Sequence, residues 1–223
     1  PKKTSIYTSK KKTEKIAFDL AMPKWNTLPI NIGSTFVYRK PRTLEEVKNR
    51  EYFSLSSKTN IAINKIVFQI APVPFSAGME RLAFYAQDIT YEKQIVVLKE
   101  YLDIGTADIF ERYMESQEVQ CIAGYFANQF NLMRISDKEI HFLQHKVVEH
   151  PYTDTRGKKV KRYYGYERYY KDAVFERYNN NTGHISKHHA ELEAFVHYTW
   201  EKSGKYLMVT DLQGADFGDQ FIL

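Results

Sequence analysis

The sequence predicts an α+β fold, and three observations predict it. Strand-like and helix-like patterns are segregated, in the order strands, helix, strands, helix, strand, where a doubly wound sheet would alternate them. Three neighbouring apolar stretches, around residues 61–70, 82–85 and 95–98, have the short connections of an antiparallel meander. The chain has 223 residues, 43% hydrophobic and 15% aromatic, with 17 Tyr and 14 Phe, enough for a large and mostly aromatic core.

The elements follow in order. Residues 1–15 read as a basic flexible arm and residues 16–60 as an N-terminal extension of mixed texture. Within the extension a helical pattern covers residues 44–52, with Thr43 as N-cap and Glu46 three residues later. From Ile61 the texture changes. Ile63, Ile66, Phe68 and Ile70 suggest a strand that Pro72 and Pro74 close; Leu82, Phe84 and Tyr85 belong to a second strand and residues 95–98 to a third. A helix follows, capped by Thr106 with Asp108 in its first turn. Phe110, Tyr113, Met114, Ile122, Ala123, Phe126 and Phe130 recur at three-to-four spacing along it, and Gly124 is its weak point. Ile140 to Leu143 and Val147-Val148 read as strands, residues 154–162 as a polar loop, and residues 163–170 as an extended aromatic stretch. Residues 187–202 form a second helix with Leu192, Phe195, Val196 and Trp200 on its apolar face. The apolar run Tyr206-Leu207-Met208-Val209 then reads as a buried strand that delivers Asp211 and Gln213 to its end.

Charge and cysteine content narrow the function classes. The net charge is +5, but residues 1–60 alone hold 13 Lys and Arg against 5 Asp and Glu, led by Lys2, Lys3, Lys10, Lys11, Lys12 and Lys15. Such an arm is a solvated tether or a contact for polyanions; no nucleic-acid motif accompanies it, so nucleic acid is not the expected partner. One cysteine, Cys121, excludes an internal disulfide framework and fits a reducing compartment. No apolar run reaches the ~20 residues of a membrane span, and no apolar signal core follows the N-terminal lysines. The expectation is a soluble, cytoplasmic protein. Its first residue is Pro1 rather than Met, which reads as a cut or processed start.

Several places could carry chemistry. The turn 74–81 holds Gly78 and Arg81 between two strands, where glycine allows a close backbone approach and Arg81 offers a planar fork to phosphate oxygens; an ordinary hairpin explains the same residues. Lys99 ends the stretch Ile95-Val96-Val97-Leu98, the position from which a strand lysine reaches phosphates in kinases, or simply reaches water. Glu115 and Glu118 of the following helix are two choices for its ion-pair partner. Asn179-Asn180-Asn181-Thr182-Gly183 is a strong turn signal. Asp211 and Gln213 are two hard oxygen donors of the kind Mg²⁺ takes. His197 lies on an apolar helix face, where a lone histidine is usually a core residue. His188 and His189 are adjacent, so on a helix they diverge.

The order of these signals is more specific than any one of them. Phe75-x-x-Gly78-x-x-Arg81, Val97-Leu98-Lys99, Phe130-Asn131, Glu167, Tyr178-Asn179-Asn180-Asn181, His197-x-Thr199 and Asp211-Leu212-Gln213-Gly214 together resemble the alpha-kinase family of atypical Ser/Thr protein kinases. The resemblance covers residues 61–223. It implies a two-lobed protein-kinase-like fold, with an N-lobe of about residues 61–165 carrying an antiparallel sheet and a long helix, and a mixed C-lobe from about residue 171. It implies ATP and Mg²⁺ as cofactors: Gly78, Arg81 and Lys99 at the phosphates, Glu167 in the segment joining the lobes beside the adenine, and Asp211 and Gln213 at Mg²⁺. It also implies His197 as one ligand of a structural Zn²⁺. Two departures stand out: Glu167 is followed by Arg168 where the family often has Pro, and the family's Thr-Asp-Pro and remaining zinc ligands fall outside residues 1–223. The C-lobe is therefore expected to be incomplete here. The leading expectation is ATP-dependent phosphoryl transfer to Ser or Thr of a protein substrate, in an intracellular setting that could include the cytoskeleton. The alternative is a catalytically incomplete kinase-like module that acts as a structural or scaffolding component.

Overall fold

A computed structural model describes residues 16–57, 59–103, 109–154 and 156–223. The strands are β1 (Asn31–Tyr38), β2 (Ile61–Ile70), β3 (Ser76–Ala77), β4 (Arg81–Asp88), β5 (Gln94–Tyr101), β6 (Glu139–His141), β7 (Lys146–Thr153), β8 (Lys159–Arg168), β9 (Glu176–Arg177), β10 (Gln213–Asp216) and β11 (Gln220–Ile222). The helices are α1 (Leu44–Lys48), α2 (Ile109–Leu132) and α3 (Ala190–Lys202). They are distributed over two compact units built from interleaved stretches. One takes the chain through Tyr38, Ile61–Gln117 and His145–Tyr169; the other takes Arg39–Asn60, Glu118–Gln144 and Tyr170–Leu223.

The first unit is a seven-stranded sheet in the order β2-β1-β7-β8-β5-β4-β3, antiparallel at every pairing. Strand β2 also pairs with β4, Phe68 opposite Asp88 and Ile70 opposite Ala86, so six strands close into a ring. The alternation of Ile66 and Phe68 in β2, Val96 and Leu98 in β5, and Tyr164 and Tyr166 in β8 turns one face of each strand inward. These residues, with Ala86 and Val148, form one buried cluster. Strand β1 was hidden within the mixed texture of residues 16–60, because Gly33, Ser34 and Thr35 dilute its alternation. It nevertheless pairs on both edges, with β2 and with β7. The basic stretch expected as a loop over residues 154–162 is strand from Lys159 onward, since β7 and β8 stay paired out to Thr153 opposite Lys159. Cross-strand charge pairs, Lys161 with Glu149 and Arg162 with Glu100, let basic side chains sit on a sheet.

Helix α2 runs unbroken through Gly124, where an added Cβ would meet only the Phe142 Cβ, at 3.8 Å. Its expected cap Thr106 and first-turn Asp108 lie outside the described residues. Tyr113 and Met114 are buried in the first unit, and Ala123, Phe126 and Phe130 in the second, as their spacing predicts.

The second unit packs that half of α2 with α1 and α3 around Tyr178, Leu212, Phe221 and Leu223. Thr43 and Glu46 form a complete capping box at the start of α1. Helix α3 begins three residues later than its pattern suggests and buries Leu192, Phe195 and Thr199. A small sheet completes the unit in the order β6-β11-β10-β9, with β11 parallel to β6.

Candidate functional site

In the first unit the chain joins β3 to β4 through a tight hairpin closed by the Gly78 N–H donating to the Arg81 carbonyl at 2.8 Å. An added Cβ at Gly78 would meet only that carbonyl, at 3.9 Å, so no neighbouring side chain demands glycine there. Arg81 starts β4, and its guanidinium is held from two sides. Its Nη2 donates to the Tyr101 hydroxyl at 2.5 Å and to Ser116 Oγ at 2.7 Å, and its plane lies 4.3 Å from the Tyr101 ring centroid. The arginine is fixed in direction before any ligand arrives, and no carboxylate is among these contacts.

Lys99 stands in β5 with Ala83 of β4 opposite on one side and Gly165 of β8 on the other. Its partner comes from a strand rather than from the helix that carries Glu115 and Glu118. Glu167 Oε2 lies 2.5 Å from the Lys99 Nζ, with side-chain exposures of 12% and 33% respectively. Glu115 is engaged by Arg112. The second oxygen of Glu167, Oε1, faces the buried His145 Nδ1 at 3.4 Å. Burial alone would raise the Glu167 carboxyl, but the charge of Lys99 and the hydrogen bond from His145 outweigh it and hold the group well below the usual carboxylate range. Glu167 falls near the end of β8, two residues before the unit ends at Tyr169, and its carboxylate is committed to Lys99.

In the second unit the expected buried strand over residues 206–209 does not form. The backbone there is satisfied by α3 and the turn after it: Ser203 Oγ accepts from the Tyr206 and Leu207 N–H groups, and Thr199 Oγ1 accepts from the Val209 N–H at 3.0 Å. A side-chain hydroxyl that takes these donors leaves no ladder to build. Asp211 then adopts φ 57°, a left-handed conformation that interrupts any strand, and β10 begins only at Gln213. The segment is clamped by the asparagine turn. Asn179 Oδ1 accepts from the Leu212 N–H at 2.8 Å, the Tyr178 N–H donates to the Leu212 carbonyl at 2.9 Å, and Gln213 pairs with Arg177 of β9. Leu212 is buried while Asp211 and Gln213 are exposed, so the two oxygen-bearing side chains share the outer side. Arg177 Nη2 already sits 3.0 Å from Asp211 Oδ1.

The donor chemistry of this pair fits Mg²⁺, which takes oxygen from one or two protein groups and keeps water or phosphate in its other positions. Zinc does not fit. His197, expected either in the core or on zinc, is exposed on α3, and among the described residues no group of three or more His, Cys, Asp or Glu side chains could hold a metal ion. A cavity of ≈ 420 Å³ in the second unit is lined by Asn131, Arg134, Lys138 and His141, among others, and by none of the expected site residues.

Sequence reasoning missed His145 and the clamp on Asp211. Nothing in the spacing around His145 marks it. The asparagine run was visible as a turn, but not the use of Asn179 to hold Leu212.

The comparisons agree with one another. The family model described as the Alpha-kinase family matches residues 76–223. The alpha-protein kinase vwkA of Dictyostelium discoideum is 30% identical over 176 residues, which cover 76% of this chain and 27% of that protein. The human eukaryotic elongation factor 2 kinase is 25% identical over 162 residues, covering 68% of this chain and 21% of its own length. The chain thus spans between about a tenth and about a quarter of the length of the curated relatives it matches. Among solved structures, an alpha kinase from Entamoeba histolytica superposes with a TM-score of 0.72 at 25% identity, covering 91% of this chain and 77% of that one. The alpha-kinase domain of myosin heavy chain kinase A, solved in complex with AMP, superposes at 0.67 with 20% identity, over 87% and 83% of the two chains. The α+β architecture, the paired strand lysine and the Asp211-Leu212-Gln213-Gly214 segment thus sit in a chain that belongs to the alpha-kinase family.

Proposed function

We propose that this chain carries the nucleotide-handling residues of an Mg²⁺-dependent protein kinase that transfers the ATP γ-phosphoryl group to Ser or Thr of a protein substrate. The observation that carries the reading is the Lys99–Glu167 ion pair: a lysine within β5, two residues short of its end, held in one direction by a carboxylate. Phosphoryl transfer asks a protein mainly for positioning and charge, and a lysine fixed this way supplies both to phosphate oxygens. Arg81, steered by Tyr101 and Ser116, supplies a second fixed cation. Asp211 and Gln213 would hold Mg²⁺. When bound, that ion neutralises charge on the phosphates. The relatives are named as kinases of myosin heavy chain and of elongation factor 2, which supports a protein substrate. The test is phosphorylation of a protein substrate by the full-length gene product, with Lys99→Ala alongside. The variant should lose activity at least a hundredfold; wild-type activity in it would remove Lys99 from the site.

One observation favours a second reading, a kinase-like module without catalysis: the Asp211 carboxylate is already engaged by Arg177. Thermal unfolding with and without Mg-ATP separates the two. Stabilisation by Mg-ATP supports the kinase, and none supports the module.

A further inference from the structure

We infer that His145 is a positioning residue for the Lys99–Glu167 pair: its Nδ1 holds one carboxylate oxygen of Glu167 so that the other aims the Lys99 ammonium. This rests on the reading of Lys99 as a phosphate ligand.

The carboxylate has two oxygens and two partners, one for each. Oε2 takes Lys99 and Oε1 faces His145. Glutamate turns freely about its last torsion, and lysine has four more. An ion pair between two such chains has many arrangements of similar energy. A second contact on Oε1 removes the rotation about the carboxylate axis, and with it most of the freedom of the ammonium.

The ring of His145 is well placed for this and for little else. Its side chain is 4% exposed. Its Nε2 is buried without a hydrogen-bond partner among the described residues. An imidazole whose second nitrogen is orphaned costs free energy that an apolar side chain of similar size would avoid. The tautomer that satisfies a donor here carries its proton on Nδ1, toward Glu167. The strand beneath is fitted to the ring: a Cβ on Gly165 would lie 2.5 Å from His145 Cε1 and 3.0 Å from Nε2. Gly165 is the residue paired with Lys99 across β5 and β8. Glycine at that position lets the imidazole lie against β8 beside the pair it orients.

The test uses the full-length gene product with two substitutions that differ in where they put a donor. His145→Asn keeps an N–H close to the place of Nδ1. His145→Gln carries its amide about one bond further, toward the place of Nε2. Affinity for Mg-ATP is measured by calorimetry, the KM for ATP and kcat by phosphorylation assay, and the thermal midpoint reports folding. His145→Gln should raise the Kd and KM for ATP about tenfold, the low end for loss of an orienting partner. His145→Asn should stay within about threefold of wild type at a comparable midpoint. Equal losses in the two variants, or wild-type affinity in both, would overturn the inference. Lys99→Ala separates the two levels: if it binds Mg-ATP as wild type does, the phosphate reading itself falls. Should both histidine variants fail to fold, ¹⁵N spectra of the wild-type protein decide. A proton on Nδ1, with a resonance that moves in Glu167→Gln, supports the inference, and a proton on Nε2 alone overturns it.

Discussion

Glu167→Gln is the most informative stability change in the first unit, because it removes one charge and almost no volume. At 2.5 Å the Lys99–Glu167 pair attracts by roughly 6–7 kcal/mol at an effective dielectric constant near 20. Desolvation of both charges takes back most of that, so the net worth of the pair is small. Breaking it is another matter, since the lysine left behind has no counter-charge; removal of one partner of a buried pair costs about 3–5 kcal/mol. Lys99 keeps 33% of its side-chain surface in solvent, and screening brings the expected cost down to about 2 kcal/mol. With a urea slope of about 2 kcal/mol/M the midpoint should fall by about 1 M. The reporter is Trp25, in the first unit, with Trp200 of the second replaced by Phe. Acid supplies a second check. Lys99 and His145 lower the folded-state pKa of Glu167 against the opposing effect of burial, to about 2. Its contribution is therefore present above the unfolded value near 4.5 and is lost as pH falls from there through the folded value. The penalty of the Gln variant should roughly halve between pH 7 and pH 3. A variant as stable as wild type at pH 7, or a penalty that does not change with acid, would refute the ion-pair account.

Two further changes probe the second unit. Gly214→Ala puts a Cβ 2.0 Å from the Ile222 carbonyl oxygen and 2.7 Å from the Leu223 Cα, both backbone atoms, so β10 and β11 must separate. About 3 kcal/mol of stability should go, read as a lower thermal midpoint, and an unchanged midpoint would contradict the close approach. Arg177→Ala frees Asp211 from its exposed partner, and since such pairs contribute under about 1 kcal/mol, Mn²⁺ used in place of Mg²⁺ should bind a few-fold more tightly. Asp211→Asn should abolish that binding, and retention of it would take Asp211 out of the metal site.

The fold was legible where a periodic pattern coincided with a buried face. The apolar runs of β2, β4 and β5, the three-to-four spacing of α2 and the capping box of α1 all appear where the residues put them. It was illegible where a backbone bond had another taker. Residues 206–209 have the composition of a strand, yet the hydroxyls of Thr199 and Ser203 accept the donors a neighbouring strand would have used. The opposite failure hid β1, whose ladder partners lie far along the chain and whose Gly33, Ser34 and Thr35 carry no apolar signal. The site divides in the same way. Arg81, Lys99, Asp211 and Gln213 stand out as charged or polar groups at the ends of apolar runs. The contacts that aim them do not, because Tyr101, Ser116, His145, Glu167 and Asn179 reach them only through sheet pairing and helix packing.

The four residues Asp211-Leu212-Gln213-Gly214 show why the spacing of such a segment is tight. Leu212 is almost wholly buried, and burial of a leucine side chain contributes about 2 kcal/mol, enough to fix which side of the segment faces inward. With Leu212 inside, its neighbours on either side are exposed, and these are the two oxygen donors. Gly214 is set by the far side, where the backbone of Ile222 and Leu223 leaves no room for a Cβ. Asp211 carries the remaining strain, since a left-handed residue costs about 1–2 kcal/mol, least for Asp and Asn. The bonds from Asn179 and Tyr178 to Leu212 offset that cost and hold the turn in place. Moving any one of the four by a single position would bury an oxygen donor, expose the leucine or force the two strands apart.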